Sequence, residues 1–249
     1  MKFINLFLGK LGFRLIKKQS SANNYPNDFE ATHTIIINKV RPFTMTSQER
    51  IFGLVEAVNY ISKHQIVGCV IECGVWKGGS MLAIAETLVQ NRDLSRDLFL
   101  YDTFDGMSEP TEDDVDTSGK KAGQLLANEE KATSVIWAYS GLDEVKANMK
   151  QTAYPAYKIH YIQGKVEDTI PTSVLDQIAL LRLDTDWYES TKCELEYLFP
   201  RLVKGGVIII DDYGCWQGAR KAVDEYFSKN NIAILLNRMD DTGRIGIKQ

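Results

Sequence analysis

Two carboxylate pairs each close an apolar run of this chain: Leu183-Asp184-Thr185-Asp186 and Ile209-Ile210-Asp211-Asp212. If the runs are neighbouring parallel strands, four acidic side chains converge on one edge of a sheet. Carboxylates so close repel one another, and the repulsion needs a cation, a shared proton or solvent to offset it. A hard divalent metal is the simplest offset, because Mg2+ takes oxygen ligands and keeps positions open for water or a substrate. Two further acids, Glu72 and Asp102, end two other apolar runs. Any one acid in such a place reads equally well as a cap for the following helix. Four such placements favour a site at the carboxyl ends of the strands, where open α/β sheets bind ligands.

The elements that must carry these acids follow from periodicity. Residues 66–72 are almost continuously apolar, the pattern of a strand covered on both faces. Segments 98–102, 159–163, 178–183, 207–210 and 232–236 also read as strands, with a short last one near Ile245. Helical spacing marks 47–63, with Ser47 as its cap, then 80–89, stretches up to 148, 190–198 and 218–229. Strands alternating with helices imply an α/β fold, here a doubly wound, mostly parallel, seven-stranded sheet. Residues 1–43 stand apart as an N-terminal extension, which leaves 44–249 as the domain.

The chain has 249 residues, of which 44% are hydrophobic, enough for one full core, and its net charge is -4. With no basic excess to neutralise phosphates, a dedicated nucleic-acid binder is excluded. Cys69, Cys73, Cys193 and Cys215 are scattered and read as reduced core thiols of a cytoplasmic protein. His33, His64 and His160 lie far apart and none adjoins an acidic motif, so zinc-ligand spacing is absent. Residues 1–18 mix apolar and basic side chains in runs too short to span a bilayer. A basic amphipathic helix there suits packing or a homo-oligomer contact, and equally a peripheral contact with the inner membrane face. Gly9 and Gly12 weaken such a helix.

Glu72-Cys73-Gly74-Val75-Trp76-Lys77-Gly78-Gly79-Ser80 is a glycine-rich strand-to-helix turn, which lets a ligand approach the backbone and the helix N-terminus. Its glycines are off the G-x-G-x-x-G spacing of dinucleotide sites. Some thirty residues on, Tyr101-Asp102-Thr103 ends a strand with an acid able to accept both hydroxyls of a ribose. An adenosyl cofactor without a dinucleotide fingerprint points to S-adenosylmethionine.

Taken with Phe104-Asp105-Gly106-Met107, Leu183-Asp184-Thr185-Asp186-Trp187-Tyr188-Glu189-Ser190-Thr191 and Ile210-Asp211-Asp212-Tyr213, these motifs resemble the macrocin O-methyltransferase family, the TylF type, from about Thr44 to the C-terminus. The resemblance implies a Rossmann-like class I methyltransferase, dependent on S-adenosylmethionine and Mg2+, that methylates a sugar hydroxyl of a glycosylated natural product or surface glycan. It places Glu72, Gly74 and Ser80 at the cofactor's methionine part, Asp102 at its ribose, and Val166 and Glu167 at its adenine, with Thr103 and Asp184 also counted among the cofactor-binding residues. Thr46 and Ser47 would close over it. Asp184, Asp211 and Asp212 match the family's metal ligands and Asp186 its general base. From its position alone, Asp186 serves equally as a fourth ligand or a helix cap.

Residues 105–119 form a long acidic stretch bracketed by glycines, read as a lid over the acceptor or as solvated loop charge. Trp187 and Tyr188 suit stacking on a sugar ring or plain packing. Two rival readings remain at this point: a catechol-type small-molecule O-methyltransferase with the same metal logic, and a non-catalytic cofactor-binding scaffold. A nicotinamide-dependent oxidoreductase is disfavoured by the glycine spacing.

Overall fold

The structure is a computed structural model that describes residues 25–172 and 176–249. The amphipathic helix expected over residues 1–18 lies outside the described residues. The chain divides into two units, Met1–Glu30 and Ala31–Gln249. In the described part of the first, Tyr25 stacks on Phe29 with ring centroids 5.9 Å apart. In the second, the described strands are β1 (Cys69–Cys73), β2 (Leu98–Asp102), β3 (Ile159–Gln163), β4 (Ile178–Leu183), β5 (Leu202–Ile210), β6 (Asn237–Arg238) and β7 (Arg244–Ile247). The helices are α1 (Ala31–Val40), α2 (Gln48–Lys63), α3 (Gly79–Gln90), α4 (Ala122–Ala127), α5 (Leu142–Met149), α6 (Val166–Thr169), α7 (Tyr188–Tyr197) and α8 (Gln217–Lys229). Helix α1 falls inside the 1–43 extension yet packs against α2 and α3, burying Ile36, Ile37 and Val40.

The strands form one sheet in the order β3-β2-β1-β4-β5-β7-β6. The first five run parallel, and β7 pairs antiparallel with both β5 and β6. Successive side chains of a strand take opposite faces. Ile71 and Cys73, Leu181 and Leu183, and Ile208 and Ile210 share one core with Leu195 of α7 and Val223 and Phe227 of α8. Glu72 and Arg182, paired in register across β1 and β4, therefore look to the other face, where α2 packs.

Two strand expectations are corrected. Residues 232–236 form no ladder: Ile232, Ile234 and Leu236 pack inward and Leu235 is exposed, but only Asn237 and Arg238 reach the register of β7. The alternation that suggested a strand is one-sided packing of an extended segment. Strand β5 begins at Leu202 rather than 207, because its pairing with β4 resumes at Val207 opposite Leu180, leaving 203–206 to bulge opposite Ala179. The glycines in that bulge hid the strand's first half.

The order of strands reverses between β1 and β4, and a crevice opens there at their carboxyl ends. Backbones come into close contact at this point: Gly74 sits at φ 79°, and a Cβ on it would collide with the Asp184 carbonyl oxygen. Gly79 similarly lets the start of α3 approach the Phe43 backbone. Gly74→Ala thus combines a left-handed backbone with a backbone clash, and should cost at least about 2 kcal/mol in chemical denaturation. A loss below about 0.5 kcal/mol would show that the two strand ends separate freely.

Candidate active site

A cleft of about 350 Å3 opens at the carboxyl ends of β1, β2, β4 and β5. Of the residues singled out from the sequence, Thr46, Gly74, Ser80, Asp102, Thr103, Val166, Glu167, Asp184, Asp186, Asp211 and Asp212 all line it. Ser47 and Glu72 do not. Ser47 caps α2, accepting the Arg50 N–H at 3.1 Å, and its hydroxyl donates to Asp240 at 2.5 Å. Glu72 is buried beneath the wall, bonded to Arg182, and its Oε2 has no hydrogen-bond partner. Burial pushes the Glu72 carboxyl up to about 7, against the pull of Arg182.

Asp102 does more than close β2. Its Oδ2 accepts the Val75 and Trp76 N–H groups at 2.6 and 3.2 Å, and its Oδ1 the Phe104 N–H at 2.6 Å. Burial raises its pKa and these amides oppose the rise. One carboxylate thus pins the glycine-rich turn and the loop after β2 to a common point. Trp76 and Phe104 are both held at positive φ there, a strained conformation that surrounding bonds must enforce.

Carboxylate oxygens of Asp184, Asp211 and Asp212 lie within 4.8 Å of one another, the only such cluster of three among the described residues. Oxygen donors alone at this spacing are the ligand set of a hard cation. Asp186 stands beside them at φ 68°, its N–H donating to Asp212 Oδ2 at 3.1 Å. Burial drives the carboxyls of Asp184 and Asp212 well above the usual range and that of Asp186 up to about 7. Asp184 keeps 28% exposure at the cleft, and repulsion from Asp211 and Asp212 adds to its rise.

Three residues that the sequence reading missed organise these acids. Arg182 is 2% exposed and donates to Glu72, Asp184 and Asp211, each at 2.7 Å, and to Thr46 Oγ1 at 3.2 Å. Burial would lower its pKa, but the surrounding carboxylates outweigh that and raise it. The signal was present: an arginine inside the apolar run 178–183 must be paired to be buried. Arg50 pairs with Asp211 from α2, and no local pattern announced it. Glu194 on α7 is buried and accepts the Thr185 hydroxyl at 2.9 Å, bracing the loop that carries Asp184 and Asp186.

The other half of the cleft is apolar, lined by Met107, Val135, Ile136, Trp187 and Trp216. The acidic stretch 105–119 forms its roof and is well fastened. Asp114 is fully buried, accepting from Thr111 and from the Tyr188 N–H at the start of α7, and Trp187 Nε1 donates to the Ser108 carbonyl at 3.1 Å. Trp187 packs edge-on against Trp216 at 4.9 Å. Tyr188 points away to Glu225.

Replacing Arg182 by Met would leave Glu72, Asp184 and Asp211 without their shared counter-charge, and should cost about 3–5 kcal/mol of stability in denaturant titration. Adding Glu72→Gln should recover part of that loss. A single variant as stable as the parent would show that solvent, not Arg182, screens the acids.

Residues 12–245 match the family described as Macrocin-O-methyltransferase (TylF), so the match begins well before Thr44, where the motif resemblance starts. The chain is 31% identical over 200 residues to the 8-demethyl-8-(2,3-dimethoxy-alpha-L-rhamnosyl)-tetracenomycin-C 4'-O-methyltransferase of Streptomyces olivaceus, covering 80% of this chain and 73% of that protein. It is 30% identical over 200 residues to the demethyldecarbamoylnovobiocin O-methyltransferase of Streptomyces niveus, with the same coverage. Among solved structures, the O-methyltransferase NovP superposes with a TM-score of 0.72 at 29% identity, over 83% of this chain and 82% of that one. The calicheamicin methyltransferase CalS11, 16% identical with a TM-score of 0.61 over 94% and 98% of the two chains, shares the fold. The cleft at the β1–β4 reversal, its carboxylates and these likenesses lead to one conclusion: the chain belongs to the macrocin O-methyltransferase family and is an S-adenosylmethionine-dependent O-methyltransferase.

Proposed function

We propose that the enzyme methylates a hydroxyl of a sugar carried by a natural product, with Mg2+ held by Asp184, Asp211 and Asp212 and with Asp186 as general base. The observation that carries this reading is the three-carboxylate cluster with Asp186 at its side, in the cleft whose other residues suit the cofactor. The donor set fits a hard cation, and the cleft at the strand reversal fits an adenosyl group. When bound, the two groups supply an electrophilic methyl and a positive charge that lowers the pKa of a nearby hydroxyl.

The chain's own residues do the rest. Gly74 and Ser80, the latter in the first turn of α3, line the wall that would hold the methionine part, and Thr46 lines it from the α2 side. Asp102 and Thr103, which line the cleft, would hold the ribose, and Val166 and Glu167 the adenine. Glu72 and Ser47 act from behind the wall, one through Arg182 and the other as the cap that sets α2. As the methyl passes to the acceptor oxygen, the Asp186 carboxylate takes the hydroxyl proton. The apolar half of the cleft suits the aglycone, and the relatives' named rhamnosyl and novobiocin substrates support a glycosylated acceptor.

The test is methyl transfer to a panel of rhamnosylated aromatic natural products and simple catechols, with and without EDTA. A glycoside should gain one methyl group on its sugar, the reaction should stop with EDTA, and added Mg2+ should restore it. Asp212→Asn should lower turnover at least about a hundredfold while S-adenosylhomocysteine still binds in calorimetry. Full activity in EDTA would remove the metal from the mechanism, and turnover of catechols alone would move the acceptor to the catechol class.

A further inference from the structure

Asp211 is divided between two arginines that are held very differently. Its Oδ1 accepts Arg182 Nη2 at 2.7 Å, and its Oδ2 pairs with Arg50 Nη1. Arg182 is locked below the cleft by Glu72, Asp184 and Thr46 as well. Arg50 instead lines the cleft, and its side chain is 15% exposed. Its Nε lies 2.8 Å from Asp240 Oδ2 without the alignment of a hydrogen bond, and is buried with no hydrogen-bond partner. Asp240 is itself a fixed anchor: its Oδ1 accepts the Thr242 and Gly243 N–H groups at 3.0 and 2.8 Å, and its Oδ2 accepts Ser47.

We propose that Arg50 is a positioning residue of the metal centre, a resident cation that a divalent ion must compete with for Asp211 Oδ2. The inference rests on the reading of Asp184, Asp211 and Asp212 as the metal's ligands. Of the two Asp211 oxygens, Oδ1 is not exchangeable, because withdrawing Arg182 would strip the counter-charge from Glu72 and Asp184 at once. Oδ2 is, because Arg50 has a second carboxylate already beside it and an unsatisfied N–H to give it. Arg50 therefore keeps the acids from repelling one another until the ion arrives, and Asp240 receives it afterwards. Since Asp240 also holds Ser47, the cap of α2, the exchange tightens the base of the segment whose Thr44, Met45 and Thr46 wall the cleft.

The competition predicts opposite signs for two substitutions outside the ligand set, read by titrating Mn2+ against the electron paramagnetic resonance signal of the free ion. Arg50→Met should bind Mn2+ at least about fivefold more tightly than the parent, and Asp240→Asn, which leaves Arg50 only Asp211, about fivefold more weakly. Arg50→Lys keeps the charge without the two-sided reach of the guanidinium, and should fall between parent and Arg50→Met. A purely structural role for Arg50 would instead weaken Mn2+ binding in the Met variant. Parent binding with an unchanged or weakened, folded Arg50→Met overturns the proposal and leaves the metal reading standing. An unchanged Asp240→Asn overturns it too, and decides the matter if the Met variant does not fold. Should neither parent nor variants bind Mn2+, the metal reading falls and this inference with it.

Discussion

A guanidinium in the middle of an apolar parallel strand is costly to desolvate, and Arg182 is tolerated only because Glu72, Asp184 and Asp211 surround it at 2.7 Å each. That requirement reaches into the fold. Glu72 pairs in register with Arg182 across β1 and β4, and Leu183 pairs with Ile210 just before Asp211. A one-residue slip of β4 would turn Arg182 into the core of Leu181 and Leu183 and separate it from its acids. Register, buried charge and the position of the acid cluster therefore specify one another. The site is part of what holds the three central strands in their alignment.

The same arrangement explains how so many acids coexist. Among the described residues, Arg182 and Arg50 pair with Glu72, Asp184 and Asp211, and no ion pair reaches Asp186 or Asp212, so the cluster keeps an excess of negative charge that protons or a cation must offset. Burial lifts the carboxyls of Glu72, Asp184, Asp186 and Asp212. Strain gathers at the same place: Trp76, Ala138 and Asp186, all at positive φ, line the cleft. Local sequence preference would relax each of them, and hydrogen bonds donated by backbone N–H groups to Asp102 and Asp212 keep the turn and the acid loop as they are.

How much of this could be read in advance depended on distance along the chain. The acids at strand ends and the Ser47 cap are local signals that the structure places as expected, except that Ser47 and Glu72 stand behind the cleft; Gly74, read as room for a ligand, also makes room for the Asp184 backbone. Strands β2, β3 and β4 have the expected ends, β2 and β4 because their runs are mostly apolar and buried. Arg182 was legible in principle, since a charge between Leu181 and Leu183 demands partners. Arg50 and Asp240 were not, because each looks like any surface charge until the fold joins α2 to the loop between β6 and β7. Asp114 was equally hidden, one acid among several in a polar stretch, although it is fully buried and fastens the roof.

That roof separates chemistry from selectivity. Its outward acids are engaged at the surface, Glu112 with Lys121 and Asp113 with Lys221, so the acidity noticed in the sequence says little about the acceptor. Its Met107, with Ile136 from further along the chain, packs on the apolar cluster of Trp187 and Trp216. The proposed metal ligands and base sit at strand ends, two of them paired with Arg182, whereas the apolar half of the cleft comes largely from the loops between β2 and α5. Loops tolerate exchange where strands do not. On the proposed reading, acceptor preference can thus change through cleft-lining residues such as Val135 and Ile136 without disturbing a carboxylate, whereas a change at Arg182 would alter the register and the acid cluster together.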